Sequence, residues 1–232
     1  MKYFPINTSL FVKNRTNFLK KMDNNSIAFF NSNDNYPVSA DTTLPFEQHR
    51  DLFYLTGINQ EETILLLYKK NNESYKEIVF LTKPNDLLTH WEGERLSVND
   101  TLSVSGISSV YWLNELEKTI DELITEVKTL YINKNEHYRA KVETQTREER
   151  FNNWITGLHP KIKTKSSNRI LQKLRSIKDP IEIDLIQKAC DITEKGFRRI
   201  LGFVKPGVWE YEIEAEFSHE FLKNRSKKFA YQ

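Results

Sequence analysis

A mixed α/β fold, one sheet flanked by helices, is predicted from three observations. The apolar periodicity changes type repeatedly along the chain, between helical spacing and short continuous runs. Two of those runs, residues 63–69 and 77–81, have strand length and are separated by the polar loop 70–74, as in a hairpin. Helix-spaced stretches lie on both sides of this pair, an order that a sheet covered by helices satisfies.

The first element is a helix capped by Thr8 or Ser9, in which Leu10, Asn14, Phe18 and Met22 share one face. The turn Asp23-Asn24-Asn25 ends it, and residues 26–30 read as a short strand. The two apolar runs then form the hairpin, followed by a short helical stretch over 86–90 and a turn at Glu92 and Gly93. Residues 114–128 are helical, with Leu116, Ile120, Leu123, Ile124 and Val127 recurring at three and four. Residues 129–133 form a strand, and 144–158 a helix that turns Phe151, Trp154 and Ile155 inward. A mixed sheet of roughly six strands accommodates this order.

After residue 161 the pattern becomes almost wholly helical, with one interruption at Asp179-Pro180. Asp179 suits the N-cap, Pro180 the first helical position, and Glu182 completes a capping box. The new helix carries Leu185, Ile186, Ala189, Thr193, Phe197, Ile200, Leu201 and Val204 at helical spacing and stops at Lys205-Pro206-Gly207. A last helix, 210–224, sets Ile213, Phe217 and Phe221 on one stripe. The chain therefore divides into a domain at 1–165, a linker helix at 166–179 and the start of a second domain at 180–232. Helices with apolar faces need cover, so Ile186, Phe197, Ile213 and Phe217 are expected to be exposed or to meet a partner. Residues 227–232 read as the beginning of a strand.

Composition narrows the function classes. The 232 residues carry 34 Lys and Arg against 32 Asp and Glu, a net charge of +2, which gives no electrostatic basis for binding nucleic acid or an acidic membrane. A single cysteine, Cys190, rules out an intrachain disulfide and favours a reducing compartment. No apolar run reaches the roughly 20 residues of a membrane span, and the N-terminus has no secretory pattern. A soluble cytoplasmic protein is expected.

Chemistry-bearing patterns are sparse. The histidines, His49, His90, His137, His159 and His219, have no second ligand at metal spacing. The chain has no nucleophile elbow and no phosphate loop, and seven glycines leave little for a nucleotide cradle. Cys190 sits mid-helix on an apolar flank, where a buried small side chain is expected. Glu210, Glu212, Glu214, Glu216 and Glu220 fan out around a helix, as a solvated acidic face does, and only those three or four apart share a side. By spacing alone the chain holds no complete active site and no metal site.

Five stretches nevertheless match one family in order. Ser39-Ala40-Asp41 followed by residues 45–57, which end Asp51-Leu52-Phe53-Tyr54-Leu55-Thr56-Gly57, resembles the entry segment of the aminopeptidase P N-terminal domain. Trp91-Glu92-Gly93-Glu94-Arg95-Leu96 is similar to a second segment of that domain. Residues 174–183, with Arg175, Lys178, Asp179, Pro180 and Glu182, resemble the family's linker. Residues 205–214 are similar to the motif that opens the catalytic domain, and residues 229–232 fall where its first strand starts. Glu47 and Arg50 depart from the family, whose members often have Arg and Ser there; the departure bears on surface charge.

The resemblance implies an Xaa-Pro aminopeptidase: a creatinase-like α/β N-terminal domain followed by a "pita-bread" metallopeptidase domain, of which 180–232 would be the first helices. Such enzymes hold two divalent metals, usually manganese, on two Asp, one His and two Glu. A bridging water attacks the bond preceding proline, in ordinary two-metal hydrolysis. All five ligands are expected beyond Gln232, so the fragment itself would be inactive and would serve oligomerisation and substrate access. The implied partners are peptides with proline in second position and other copies of the chain, as a dimer or tetramer. Trp91 corresponds to a tryptophan that reaches into a neighbouring subunit's substrate cleft, or is a core or hairpin residue. Tyr231 corresponds to a tyrosine lining the pocket for the residue before proline, or belongs to a simple tail. Asp41 corresponds to an acid that pairs with a catalytic-domain arginine, or is a turn residue. A prolidase (an Xaa-Pro dipeptidase) and a non-catalytic, peptide-binding creatinase-like module are the alternatives.

Overall fold

The computed structural model describes residues 5–85, 89–90, 93–139, 143–226 and 229. The chain divides into two compact units, one from Thr8 to Ile177 and one from Lys178 onward.

The first unit is built on a six-stranded mixed sheet. Its elements begin with α1 (Thr8–Lys21), β1 (Ser26–Asn31), the small hairpin β2 (Pro37–Ser39) and β3 (Thr42–Thr43), and α2 (Arg50–Thr56). β4 (Ile64–Lys69), β5 (Tyr75–Leu81), α3 (Val98–Ser105) and β6 (Ser109–Trp112) come next. A 3-10 turn at Leu113–Glu115 leads to α4 (Leu116–Ile124), β7 (Thr129–Ile132), α5 (Arg147–Leu158), β8 (Lys163–Ser166) and α6 (Asn168–Ser176). The strand order is β6-β5-β4-β1-β7-β8. β4 is antiparallel to both neighbours, and every other pairing is parallel, so five strands run one way and β4 alone runs against them.

Both faces of the sheet are covered, which explains why its central strands read as continuous apolar runs and not as alternating ones. Ala28, Phe30, Leu65, Leu67, Val79, Leu81 and Tyr131 point to one core, closed by Phe18 and Leu19 of α1, Leu52 and Leu55 of α2 and Leu171 of α6. Ile27, Phe29, Leu66, Ile78, Phe80 and Leu130 point to the other, closed by Leu116, Ile120 and Leu123 of α4 and Phe151 and Ile155 of α5. Lys69 ends β4 but is buried, and its Nζ donates to the Leu19 and Met22 carbonyls at 2.9 Å each, capping α1. The predicted hairpin, the strands at 26–30 and 129–133 and the helices near 8, 116 and 147 are present. β8, with sequence Lys-Thr-Lys-Ser, is an edge strand with no apolar signal, and α2, α3 and β6 also lack the length or spacing to announce themselves.

The second unit contains α7 (Pro180–Phe203) and α8 (Glu210–Lys223). The capping box at its start is formed: Ile181 N donates to Asp179 Oδ1 at 2.9 Å and Asp179 N to Glu182 Oε2 at 2.8 Å. α7 ends at Phe203, and Gly207 takes a φ of 94° in the turn before α8. The two helices meet at Gly196, where a Cβ would collide with the Phe217 ring. Phe197 meets the Phe217 ring edge to face, and Phe217 lies tilted against Phe221 along the contact. Ile186 and Phe197 are exposed, whereas Ile213 and Phe217 are half-buried. Two expectations need correction. Cys190 is exposed, because within this unit α8 packs on the opposite side of α7 and leaves that flank uncovered. The acidic residues of α8 are not a purely solvated face: Arg199 of α7 pairs with Glu216 at 2.5 Å and Glu220 at 3.6 Å, and Glu212 accepts from Trp209 N. Parts of the predicted helical stretch at 86–90 and of the predicted terminal strand at 227–232 lie outside the described residues.

Candidate functional site

The five strands that run together end at one margin of the sheet, the place where ligands gather in α/β folds. That margin is polar. β1 ends in Asn31 and is followed by Ser32, β7 is followed by Asn133, and β8 by Ser167, all buried. Glu148, in the first turn of α5, offers both carboxyl oxygens to Asn31: the backbone N–H donates to Oε2 at 3.1 Å and Nδ2 donates to Oε1 at 3.0 Å. Asn133 donates from Nδ2 to Asp51 Oδ2 at 3.1 Å. It is itself held by Asn152 Nδ2 on its carbonyl at 2.7 Å and Ser167 Oγ on its Oδ1 at 3.0 Å. Arg175, near the end of α6, donates from Nη1 to Asp51 Oδ1 at 2.6 Å, and its guanidinium lies 5.5 Å over the Tyr54 ring.

The segment that enters α2 is knotted by its own side chains. Gln48 Nε2 donates to the carbonyls of Ile58 and Gln60 at 3.1 and 2.9 Å, and its Oε1 accepts from His49 N at 2.7 Å. His49 caps α2 by accepting Asp51 N on Nδ1 at 3.3 Å. Gly57 ends α2 at a φ of 70°, and a Cβ there would run into the Phe11 ring, so both backbone and space require glycine. Leu96 N donates to Gln60 Oε1 at 2.7 Å, while Arg95 pairs with Glu61 and Glu62 at 3.1 and 3.3 Å.

Burial dominates the electrostatics. It pushes the Glu148 carboxyl up to about 8, against the donors of Asn31 that favour ionisation. It lowers the His49 imidazole, which is partly offset by Asp51. Glu62 is lowered, first by the Thr82 hydroxyl and then, against its desolvation, by Arg95. A cavity of about 240 Å³ lies beside Arg175, lined by Asp51, Asn168, Leu171, Gln172 and Ser176. Glu148 is enclosed and both its oxygens are taken by Asn31, so the network fixes backbone and offers no acid–base pair to that cavity. Among the described residues no three His, Cys, Asp or Glu are placed to hold a metal ion. The donor set of a two-metal hydrolase is not met by them.

Of the residues singled out from sequence, Asp41 is exposed in the turn between β2 and β3. Trp91 and Tyr231 lie outside the described residues. The network residues Asn31, Asn133 and Glu148 carry no sequence signal: Glu148 stands in the charged run Arg147-Glu148-Glu149-Arg150, which looks solvated. Asp51 and Arg175 stand in two of the stretches that carry the family resemblance, and the structure joins those stretches across 124 positions.

Comparison with known proteins agrees with this architecture. The family model for the aminopeptidase P N-terminal domain matches residues 11–131, and that for metallopeptidase family M24 matches 184–232. An Xaa-Pro aminopeptidase of Haemophilus influenzae is 29% identical over 92% of this chain and 47% of its own length. The Xaa-Pro aminopeptidase of Escherichia coli is 24% identical over 95% and 50%, and human Xaa-Pro aminopeptidase 3 is 25% identical over 86% and 39%. The chain thus spans about half the length, or less, of these relatives. A solved Bacillus anthracis structure assigned to aminopeptidase P superposes with a TM-score of 0.87 at 27% identity, covering 96% of this chain and 52% of that one. With the N-terminal domain model covering most of the six-stranded unit and the M24 model beginning inside α7, the chain belongs to the aminopeptidase P family, as an N-terminal part of such a protein.

Proposed function

We propose that this chain is the N-terminal portion of a metal-dependent Xaa-Pro aminopeptidase that removes an N-terminal residue preceding proline. The observation that carries the reading is the order of the two family matches on one chain, the N-terminal domain first and the M24 start second. In domain terms we read 1–165 as the aminopeptidase P N-terminal domain, 166–179 as the connecting segment and 180–232 as the opening of the pita-bread domain. The divalent metals, expected as manganese, would be held by residues outside this chain, and no catalytic step runs through the residues described. The N-terminal unit would serve assembly into a dimer or tetramer and substrate access, in the cytoplasm. No helix among the described residues is long and apolar enough to cross a membrane.

The test is the full-length protein loaded with manganese and given Xaa-Pro peptides of two to five residues. Release of the first residue from the longer peptides, lost on chelation and regained with metal, is expected. Cleavage of dipeptides alone would make it a prolidase, and peptide binding without cleavage a non-catalytic module. Within the peptidase reading, Trp91→Ala in the full-length enzyme should lower kcat/KM on short peptides without lowering Tm, because lost positioning costs rate and not fold. A large fall in Tm with unchanged activity of the folded fraction would return Trp91 to the core.

A further inference from the structure

We infer that Asp51, Arg175 and Tyr54 form a clamp that anchors the last turn of α6 to α2 and keeps the joint before α7 down to residues 176–178. Three features support this. Asp51 is a prepared receptor: its Oδ2 is taken by Asn133, which Asn152 and Ser167 hold in turn, so the oxygen facing Arg175 is fixed before the cation arrives. Arg175 uses both of its recognition modes, an ion pair at 2.6 Å and a stack over Tyr54 at 5.5 Å, and Tyr54 itself packs on the core. One turn earlier on the same face, Leu171 ties α6 down at 1% exposure.

The joint beyond the clamp is short. Ser176 closes α6, Ile177 is extended and 82% exposed, and Asp179 is already the N-cap of α7, locked by its box with Glu182. Three residues therefore separate the anchored guanidinium from the capped start of the next helix. With Arg175 released, Leu171, with Ile170 and Leu174 packed beside it, still holds α6 to the core, and the residues after Leu174 fray more readily. The joint then lengthens from three residues to about four, 175–178. Asp51 and Arg175 are in this sense positioning residues. Their effect on peptide turnover rests on the peptidase reading; the clamp itself does not.

The test is amide hydrogen exchange on this chain, comparing wild type with Arg175→Gln and, separately, with Tyr54→Leu, which keeps the ion pair and removes the aromatic ring. Amides of 175–178 should exchange roughly tenfold faster in Arg175→Gln, with β1 and β4 unchanged, and Arg175→Lys should fall between, since an ammonium pairs but lacks the planar guanidinium that lies over the Tyr54 ring. Unchanged exchange at 175–178 in both variants overturns the clamp, as does equal acceleration across β1 and β4, which would mean general destabilisation. In the full-length protein, Arg175→Gln should lower kcat with little change in KM. Local loosening with unaltered kcat would reject the positioning role. A full-length protein with no peptidase activity would reject the peptidase reading and leave the exchange result to decide the clamp.

Discussion

Two titrating side chains at the polar margin act on stability in opposite directions. Glu148 has its folded-state pKa raised to about 8, so between the ordinary carboxyl range and that value the folded chain binds more protons than the unfolded one. Stability must then fall as pH rises from roughly 4.5 to 8, by at most about 1.4 kcal/mol per pH unit. In denaturant titrations Glu148→Gln should flatten this slope, while costing about 1 kcal/mol at pH 6 for the bond to Asn31 that an amide nitrogen cannot accept. His49 is the mirror case. Its pKa is lowered by burial, the folded chain binds fewer protons below about pH 6.5, and stability falls as pH drops. The mechanism is local: protonated Nδ1 cannot accept Asp51 N, and α2 loses its cap. His49→Asn keeps a cap acceptor without the titration, and should be relatively more stable than wild type at pH 5 than at pH 7. An unchanged difference between the two pH values would discount the cap.

Gly57→Ala bears on the end of α2. The positive φ and the Phe11 ring together predict a loss of roughly 2–3 kcal/mol in equilibrium unfolding, more than a loop glycine would cost. Elements with strong internal rules were legible in the sequence. The hairpin at 64–81 has two apolar runs around a polar loop, and α7 has its box, its proline and its terminating Pro206-Gly207. Elements whose reason is tertiary were not. β8 exists because its backbone pairs with β7, and its side chains say only that it is an edge, guarded by Lys163 and Lys165. α2 is seven residues long and owes its ends to His49 and Gly57. The polar margin was illegible for the same reason: Asn31, Asn133 and Glu148 become a site only once β1, β7 and α5 are placed side by side. The exposure of Cys190 was equally hidden, because helical spacing identifies an apolar flank without saying whether anything covers it.

At the scale of the molecule the two units differ in what they bury. The first closes two cores on one sheet. The described part of the second has one buried large apolar side chain, Phe221, while Ile183, Ile186 and Leu201 are exposed. So little burial gives low local stability. Amides of α7 and α8 should therefore exchange much faster than those of β1 and β4, and Cys190 should react fully with a thiol reagent in the native chain. Equal protection of both units, or a Cys190 that reacts only after denaturation, would mean that α7 and α8 are covered in solution.

The reversed strand β4 also governs the order in which the sheet can be completed on the ribosome. Once residue 81 has emerged, β4 and β5 can pair antiparallel through the loop 70–74, and β1 can pair with β4 across residues 32–63. The other edge of β1, where Ser26, Ile27 and Ala28 pair with Thr129, Leu130 and Tyr131, must wait for β7 to be made. At about 5–20 residues per second that is a few seconds of synthesis. For that interval the nascent chain holds an open strand edge, whose unpaired backbone groups are a template for pairing with another chain. Slow codons between 81 and 129 would prolong its exposure, and fast ones would shorten it.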